Sequence, residues 1–593
     1  MTAEPERQGT LPFLVAQEDA SAWEGIRCPG ITPAWGQIQF LARQILLRLR
    51  VIRFRWSRPC LWVLFTGGTG TGKSTLFNAL CGASLSETGV ERPKTAGSIA
   101  FVHRSISVEE GFPFEAMAFR RVSVESVPVS GQSGVPGTLT LVEHDREMFR
   151  HCVIVDTPDV DSVELRNRQA VEDLYLLAHV VIFVVSQEKY ADDVPYRFLA
   201  RILADEKPLF LVLNKANKLE TSREVFASLE AQGLALDGQR FHAFPLVSPD
   251  PALALVTMDS FRDLREIFLG VVSRGEAEKI IGEEENRAAR TLCAEIRRLL
   301  SLLQGEEAAA AHWKEQLDLF FQEACRNLVE AQQQHFAEGT REALQKEIRR
   351  HFSKYDLLRT PRRVVARIVR TPLELLGLLE NPSTDSHRDE LMRIRRRIDL
   401  VPVKAALEKF NREVLEKLSP GDPSAPLYAG LRDPSVVLTG EEVKERVLED
   451  QERLVQWLEE TFSELAKGIP KTKEWGIYSA SILWGGLILS LEAAIGGGIT
   501  VLEAVLDTAI APFVTKGAVE LFAYQELQKV ARELGRRYQD GLLSTLRMQR
   551  DRYAACVERL LASQEALRHL KTLERNLCSV SKAHRANGIR PEP

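Results

Sequence analysis

The sequence predicts an α/β domain with a mainly parallel sheet and helices on both faces, followed by a long all-α stalk or bundle. Three observations predict it. Between residues 61 and 269, short apolar runs alternate with helical stretches. A glycine-rich turn joins the first of those runs to a helix, and after residue 275 long polar stretches of helical periodicity take over. Apolar strands separated by helices imply a parallel sheet buried on both faces, whose ligands bind beyond the carboxyl ends of the strands. A chain of 593 residues is too long for one hydrophobic core, so several domains are expected. The boundaries read as 1–59 for a lead-in and helix, 60–275 for the α/β domain and 276–593 for the helical part.

Taken in order, residues 1–35 are rich in Pro, Gly and small residues and read as a loose lead-in. A helix is predicted from Gln37 to Trp56, with Leu41, Ile45, Leu46, Leu49 and Ile52 at near-helical spacing. Its arginines, Arg43, Arg48, Arg50, Arg53 and Arg55, with Arg58 just beyond, suit either an acidic or lipid partner or a solvated face packed on the helical half. The strands are Leu61–Thr66, Ile99–His103, Cys152–Asp156, Val180–Val185 and Leu209–Leu213. Helical stretches follow at 276–356, 386–418, 440–468 and 517–577, with Pro- and Gly-rich joints at 359–382 and 419–434.

Composition sets limits. Apolar residues at 45% and charged residues at 27% describe a folded chain. A net charge of −5 gives no global reason to expect nucleic acid as a partner. The 8 cysteines form no C-x-x-C pair and read as small apolar residues of a reducing compartment. The polar N-terminus does not resemble a secretory signal, so the expected location is the cytoplasm or the inner face of the cell membrane.

The chemistry concentrates in Gly67, Gly68, Thr69, Gly70, Thr71, Gly72, Lys73 and Ser74, which fit G-x-x-x-x-G-K-S between a strand and the helix opened by Thr75. Glycines let backbone N–H groups close round phosphate oxygens, Lys73 supplies a cation for the β and γ phosphates, and the Ser74 hydroxyl suits Mg²⁺. Asp156 ends a buried strand, where a carboxylate can hold Mg²⁺ through water. Thr95, in Glu91-Arg92-Pro93-Lys94-Thr95, lies just before a strand and suits closure over the metal and γ-phosphate, a catalytic role shared with Lys73. Together these are the parts of a P-loop nucleoside triphosphatase that uses Mg²⁺.

Asn214-Lys215-Ala216-Asn217 resembles the N-K-x-D base-reading motif of TRAFAC-type GTPases, with Ser248 in the region of that family's last base-contacting loop. The resemblance implies GTP as substrate. Asn217 stands where the family has Asp, and its one accepting oxygen cannot meet both N–H donors of guanine, which also opens xanthine. The segments Thr157-Pro158-Asp159-Val160-Asp161-Ser162, Glu188-Lys189-Tyr190-Ala191-Asp192 and Arg92-Pro93-Lys94-Thr95 resemble the bacterial dynamin-like GTPases over about residues 61–250. That resemblance implies GTP hydrolysis coupled to stalk movement and to self-association through G domains or stalk. The rival readings are a slow regulatory switch that binds a protein or ribosome, and a scaffold without significant hydrolysis. This chain has no glutamine at 69 or 160 to orient water, and Asp159 replaces the glycine of D-x-x-G.

Two segments are candidates for lipid. Trp475–Leu491 is an uncharged run, and Ala493–Val514 is a second apolar run carrying Glu503 and Asp507. Such a pair, over 475–515, suits either a shallow inserting hairpin or a buried helical hairpin. Residues 359–380 are basic and amphipathic, then apolar, and suit either anionic lipid or a bridge between helices.

Overall fold

A computed structural model describes residues 23–88, 96–128, 131, 133–186, 192–216, 219–234, 236, 240–245, 258–335, 401–467 and 518–586. The chain divides into two compact units. The first comprises 1–25, 39–301 and 564–593, and the second 26–38 and 302–563.

The first unit is built on eight strands: β1 Leu61–Gly67, β2 Ser98–His103, β3 Ala118–Ser123, β4 Thr138–His144, β5 Cys152–Asp156, β6 Val180–Ser186, β7 Leu209–Ala216 and β8 Arg240–Pro245. Their order across the sheet is β3-β4-β2-β5-β1-β6-β7-β8. Every neighbouring pair is parallel except β2 with β5. All five strands expected from sequence are present. The other three escaped because their patterns are mixed. Edge strand β3 reads AFRRVS and none of its residues is buried. Its Arg121 is paired instead with Glu109 and Glu143.

Buried strands alternate their side chains between two apolar layers, so each face needs a helical cover. One face carries Trp62, Leu64, Val155 and Phe183 under helices α1 (Trp35–Ser57), α3 (Leu165–Leu177), α4 (Asp193–Ala204) and α5 (Leu219–Ala231). The other carries Val63, Phe65, Ile154 and Val184 under α2 (Lys73–Cys81), α6 (Asp259–Val272) and the start of α7 (Arg274–His335). The predicted sheet with helices on both faces is therefore the observed one.

The arginine-rich helix α1 packs on the sheet through Val51 and Phe54. Its charges find partners inside the first unit. Arg48 pairs with Glu295 at 3.4 Å, and the buried Arg55 donates to the carbonyls of Leu176 and Ala178. Burial holds the Arg55 guanidinium down at about 10. Helix α12 (Gln564–Ala586) returns to the same unit, where Arg297 pairs with Glu574 at 2.9 Å. Cys293 and Cys578 are disulfide-bonded with their Cα atoms 6.4 Å apart, so these two depart from the reading of the cysteines as isolated apolar residues. The remaining cysteines are free, and all but Cys325 are buried.

The second unit is helical, with most of α7 joined by α8 (Val401–Lys417), α9 (Pro426–Leu431), α10 (Gly440–Lys467) and α11 (Ala518–Leu560). Trp313, Leu317, Phe410, Val414, Leu431, Val443 and Tyr553 form its core. Periodicity had run 517–577 together, whereas α11 and α12 break at 561–563. The joint predicted at 419–434 contains the short helix α9, with proline in its first turn.

The lead-in was read as loose, yet residues 29–35 are tied into this unit. Leu427 N–H donates to Pro29 O at 2.9 Å and Trp35 Nε1 donates to Asp422 at 2.9 Å. No described helix is long and apolar enough to cross a membrane. The lipid candidates at 359–380 and 475–515 lie outside the described residues.

Candidate functional site

The phosphate loop leaves β1, which pairs with β5 on one side and β6 on the other, so it emerges at the centre of the sheet. Gly67 has φ +146°, and a Cβ there would sit 2.1 Å from Val184 O. Gly72 caps α2 in the left-handed region at φ +92°, and a Cβ there would meet Asn214 Nδ2 at 2.2 Å. Both positions need glycine for the close approach as well as for the backbone angle. The loop braces itself through Thr71, whose hydroxyl donates to Gly68 O at 3.0 Å. Gly68 lies beside Pro195 of α4, and Gly70 has φ +74°.

Lys73 is buried, 4% exposed, and its Nζ donates to Gly68 O at 3.2 Å and to Asp159. One residue on, the Ser74 hydroxyl donates to Asp156 Oδ2 at 2.7 Å. A second hydroxyl, Ser86 Oγ, reaches the same oxygen at 2.7 Å. Asn78 fixes Ser86 in place. Its side chain accepts from Leu85 N–H at 3.0 Å and Ser86 N–H at 2.9 Å, and donates to Ser86 O at 2.7 Å.

Asp156 is fully buried, and burial pushes its carboxyl up to about 6, against the opposing pull of Ser74 and Lys73. Its Oδ1 is buried with no hydrogen-bond partner among the described residues. A buried, unsatisfied carboxylate oxygen beside a serine hydroxyl is a donor set for a hard divalent cation, and Mg²⁺ fits it. Asp156 and Ser74 would hold that ion, which would neutralise phosphate charge when bound.

From β7, Asn214 Nδ2 donates to Thr71 O at 2.9 Å and Lys215 Nζ to Gly70 O at 2.8 Å. Lys215 takes the uncommon φ of +58°, in keeping with the irregular pairing between Leu213 and Ala216. Asn214 and Lys215 thus clamp the main chain of the phosphate loop.

Comparison with known proteins agrees with this arrangement. Residues 62–215 match the family described as "50S ribosome-binding GTPase". Those residues are a P-loop GTPase domain. The chain is 27% identical over 173 residues to "Uncharacterized protein in xynA 3'region" of Caldicellulosiruptor sp. (strain Rt8B.4). That match covers 28% of this chain and 42% of the relative, so it spans less than half of the relative's length. Two solved chains are similar along most of the sequence. One comes from "An oligomerised bacterial dynamin pair provides a mechanism for the long-range sensing and tethering of membranes", with TM-score 0.35, 11% identity and 91% of both chains covered. The other is "LeoA bacterial dynamin GTPase from ETEC", with TM-score 0.24, 12% identity, and 96% and 99% covered.

Within the GTPase domain the fold brings together the residues from Gly67 to Thr75 with Asp156, Asn214 and Lys215. Thr95, Asn217 and Ser248 lie outside the described residues. Three residues at the site were not assigned from sequence. Ser86 and Asn78 carry no motif, and their role comes from the chain doubling back after α2. Asp161 stood in plain view in the Thr157–Ser162 segment. Its Oδ1 accepts from the N–H of Thr69 at 2.9 Å and from the Thr69 hydroxyl at 2.7 Å. Val160 is buried, at 5% exposed.

Proposed function

We propose that this chain binds GTP with Mg²⁺ and hydrolyses it, coupling nucleotide state to its helices in the manner of a dynamin-like GTPase. The observation that carries the reading is that Lys73, at the start of α2, and Asp156, at the end of β5, are both buried beside the phosphate loop, with the Ser74 hydroxyl donating to Asp156. Lys73 takes the β and γ phosphates, the loop N–H groups cradle their oxygens, and Ser74 and Asp156 hold the cation. Thr95 closes over the γ-phosphate. Asn214, Lys215, Asn217 and Ser248 serve the base side.

The coupling proposal draws on the first unit. Helix α1, the start of α7 and α12 come from three distant parts of the chain and pack in the same unit as the GTPase domain. They are tied by Arg48–Glu295, by Arg297–Glu574 and by the Cys293–Cys578 bond. A change of loop position at the nucleotide therefore has helices to act on. Self-association through G domains or stalk, and a lipid surface met by 475–515 and 359–380, complete the reading. Its place is the cytoplasm and the inner face of the cell membrane.

With Val160 where a glutamine would orient water, the isolated monomer lacks part of the hydrolytic machinery. The steady-state rate per molecule is expected to be low at dilute concentration. It should rise at least about tenfold with protein concentration or on anionic liposomes, because a second copy supplies the missing group. A phosphate-release assay over a hundredfold range of protein, with and without liposomes, reads this. A fast rate independent of concentration would show that the monomer holds a complete site. A slow rate that never rises would favour the regulatory-switch reading.

A further inference from the structure

Lys73 Nζ, the cation meant for phosphate, is engaged by a carboxylate of its own chain. Asp159 pairs with it, the two side chains being 21% and 4% exposed. The pair is one of several ties across the same gap. Thr157 N–H and hydroxyl donate to Phe65 O at 3.2 and 2.8 Å. Val160 N–H donates to Gly67 O at 3.3 Å, and Asp161 takes both donors of Thr69. Residues 157–161 therefore lie along the phosphate loop and press two carboxylates onto groups that suit phosphate oxygens.

A carboxylate and a terminal phosphoryl group make the same demand on an ammonium ion, and the two repel each other when close. We propose that Asp159 competes with the γ-phosphate for Lys73 and so sets the balance between triphosphate and diphosphate. The inference rests on the nucleotide-binding reading above. A diphosphate leaves the Lys73–Asp159 contact room to persist. A triphosphate has to displace Asp159, because its γ-phosphate needs Lys73 and brings negative charge to the same spot. Displacing Asp159 pulls on Val160 and Asp161, which sit one and two residues away, and so frees Thr69. The segment leads through Ser162 and Glu164 into α3, so the latch also marks where nucleotide state enters the helices.

The test uses the full chain and the variants Asp159→Asn and Asp159→Gly, titrated with fluorescent GDP and a fluorescent non-hydrolysable GTP analogue. Either variant is expected to bind the analogue about tenfold more tightly, and GDP at most about twofold more tightly, since removing one charge-assisted contact is worth roughly that ratio. A triphosphate-to-diphosphate preference equal to or below the wild-type value overturns the proposal. Amide hydrogen exchange on nucleotide-free protein gives a readout that needs no ligand. Thr69 and Val160 should exchange faster in both variants, while β1 stays protected. Unchanged exchange at both amides also overturns it. A wild-type chain that binds neither nucleotide would refute the GTPase reading, and the exchange measurement would still decide whether the latch exists.

Discussion

Lys73→Ala should lose triphosphate binding, with affinity for a labelled GTP analogue falling at least about a hundredfold. The lysine is buried, and its ammonium sits between Gly68 O and Asp159 at the mouth of a loop braced by Thr71, Asn214 and Lys215. No other described lysine or arginine donates to that loop except Lys215, which is committed to the main chain at Gly70. Removing Nζ takes away the charge opposite the phosphates and leaves Asp159 facing them unpaired. The variant should still fold, because the loop keeps its braces from Thr71, Asn214 and Lys215. Circular dichroism alongside the binding titration separates the two effects. Unchanged affinity in a folded Lys73→Ala protein would place the nucleotide elsewhere.

Glu306→Ala should cost the second unit about 3–5 kcal/mol, the effect of stranding several buried donors at once. Glu306 lies on α7 and is 1% exposed. Its carboxylate accepts from Gly30 N–H at 3.1 Å, Ile31 N–H at 3.1 Å and Thr32 N–H at 2.8 Å, and from the Thr32 hydroxyl. Gly30 makes this turn with φ +77°, and a Cβ there would lie 2.8 Å from Ala425 Cβ. Alanine would leave three backbone donors with no acceptor in a packed site. Glu306→Gln keeps the shape and one accepting oxygen, so its loss should be about half as large. Urea unfolding followed by tryptophan fluorescence, using Trp313 in this core, reads both variants. A loss below about 1 kcal/mol in Glu306→Ala would show that the lead-in is not held by this contact.

Much of the α/β domain was legible because its central strands are unbroken apolar runs. Leu61–Phe65, Cys152–Val155 and Val180–Val185 have no alternative to burial on both faces. The same logic failed at β3, whose Arg121 is satisfied by ion pairs, and at β8, whose RFHAFP pattern mixes charge with aromatics. Helices were legible by period, but the break after α11 was not. Residues 560–563 read Leu-Leu-Ala-Ser, with no glycine or proline to announce a stop and only Ser563 suited to start the next helix. In the site, Lys73, Ser74 and Asp156 were legible as candidates because phosphate and cation chemistry fixes residue type and spacing together. Ser86 was not, since its hydroxyl reaches Asp156 only through the turn that Asn78 holds. Asp159 was read as a carboxylate near the γ-phosphate, and its partner Lys73 became visible only when the two loops were seen side by side. Glu306 and the 29–32 turn are separated by most of the first unit in sequence, so no local pattern links them.

The central claim is that the phosphate loop at the end of β1 takes a guanine nucleoside triphosphate with Mg²⁺. Calorimetric titration of the wild-type chain with GTP, XTP and ATP, each with Mg²⁺ and with a chelator, tests it most directly. GTP should bind with one site per chain and weaken at least about tenfold when the cation is removed, because Ser74 and Asp156 then lose the ion that links them to the phosphates. ATP should bind far more weakly than GTP, and XTP should fall within reach of GTP because Asn217 replaces the family's aspartate. Binding of ATP as tight as GTP, or GTP binding indifferent to Mg²⁺, would contradict the account.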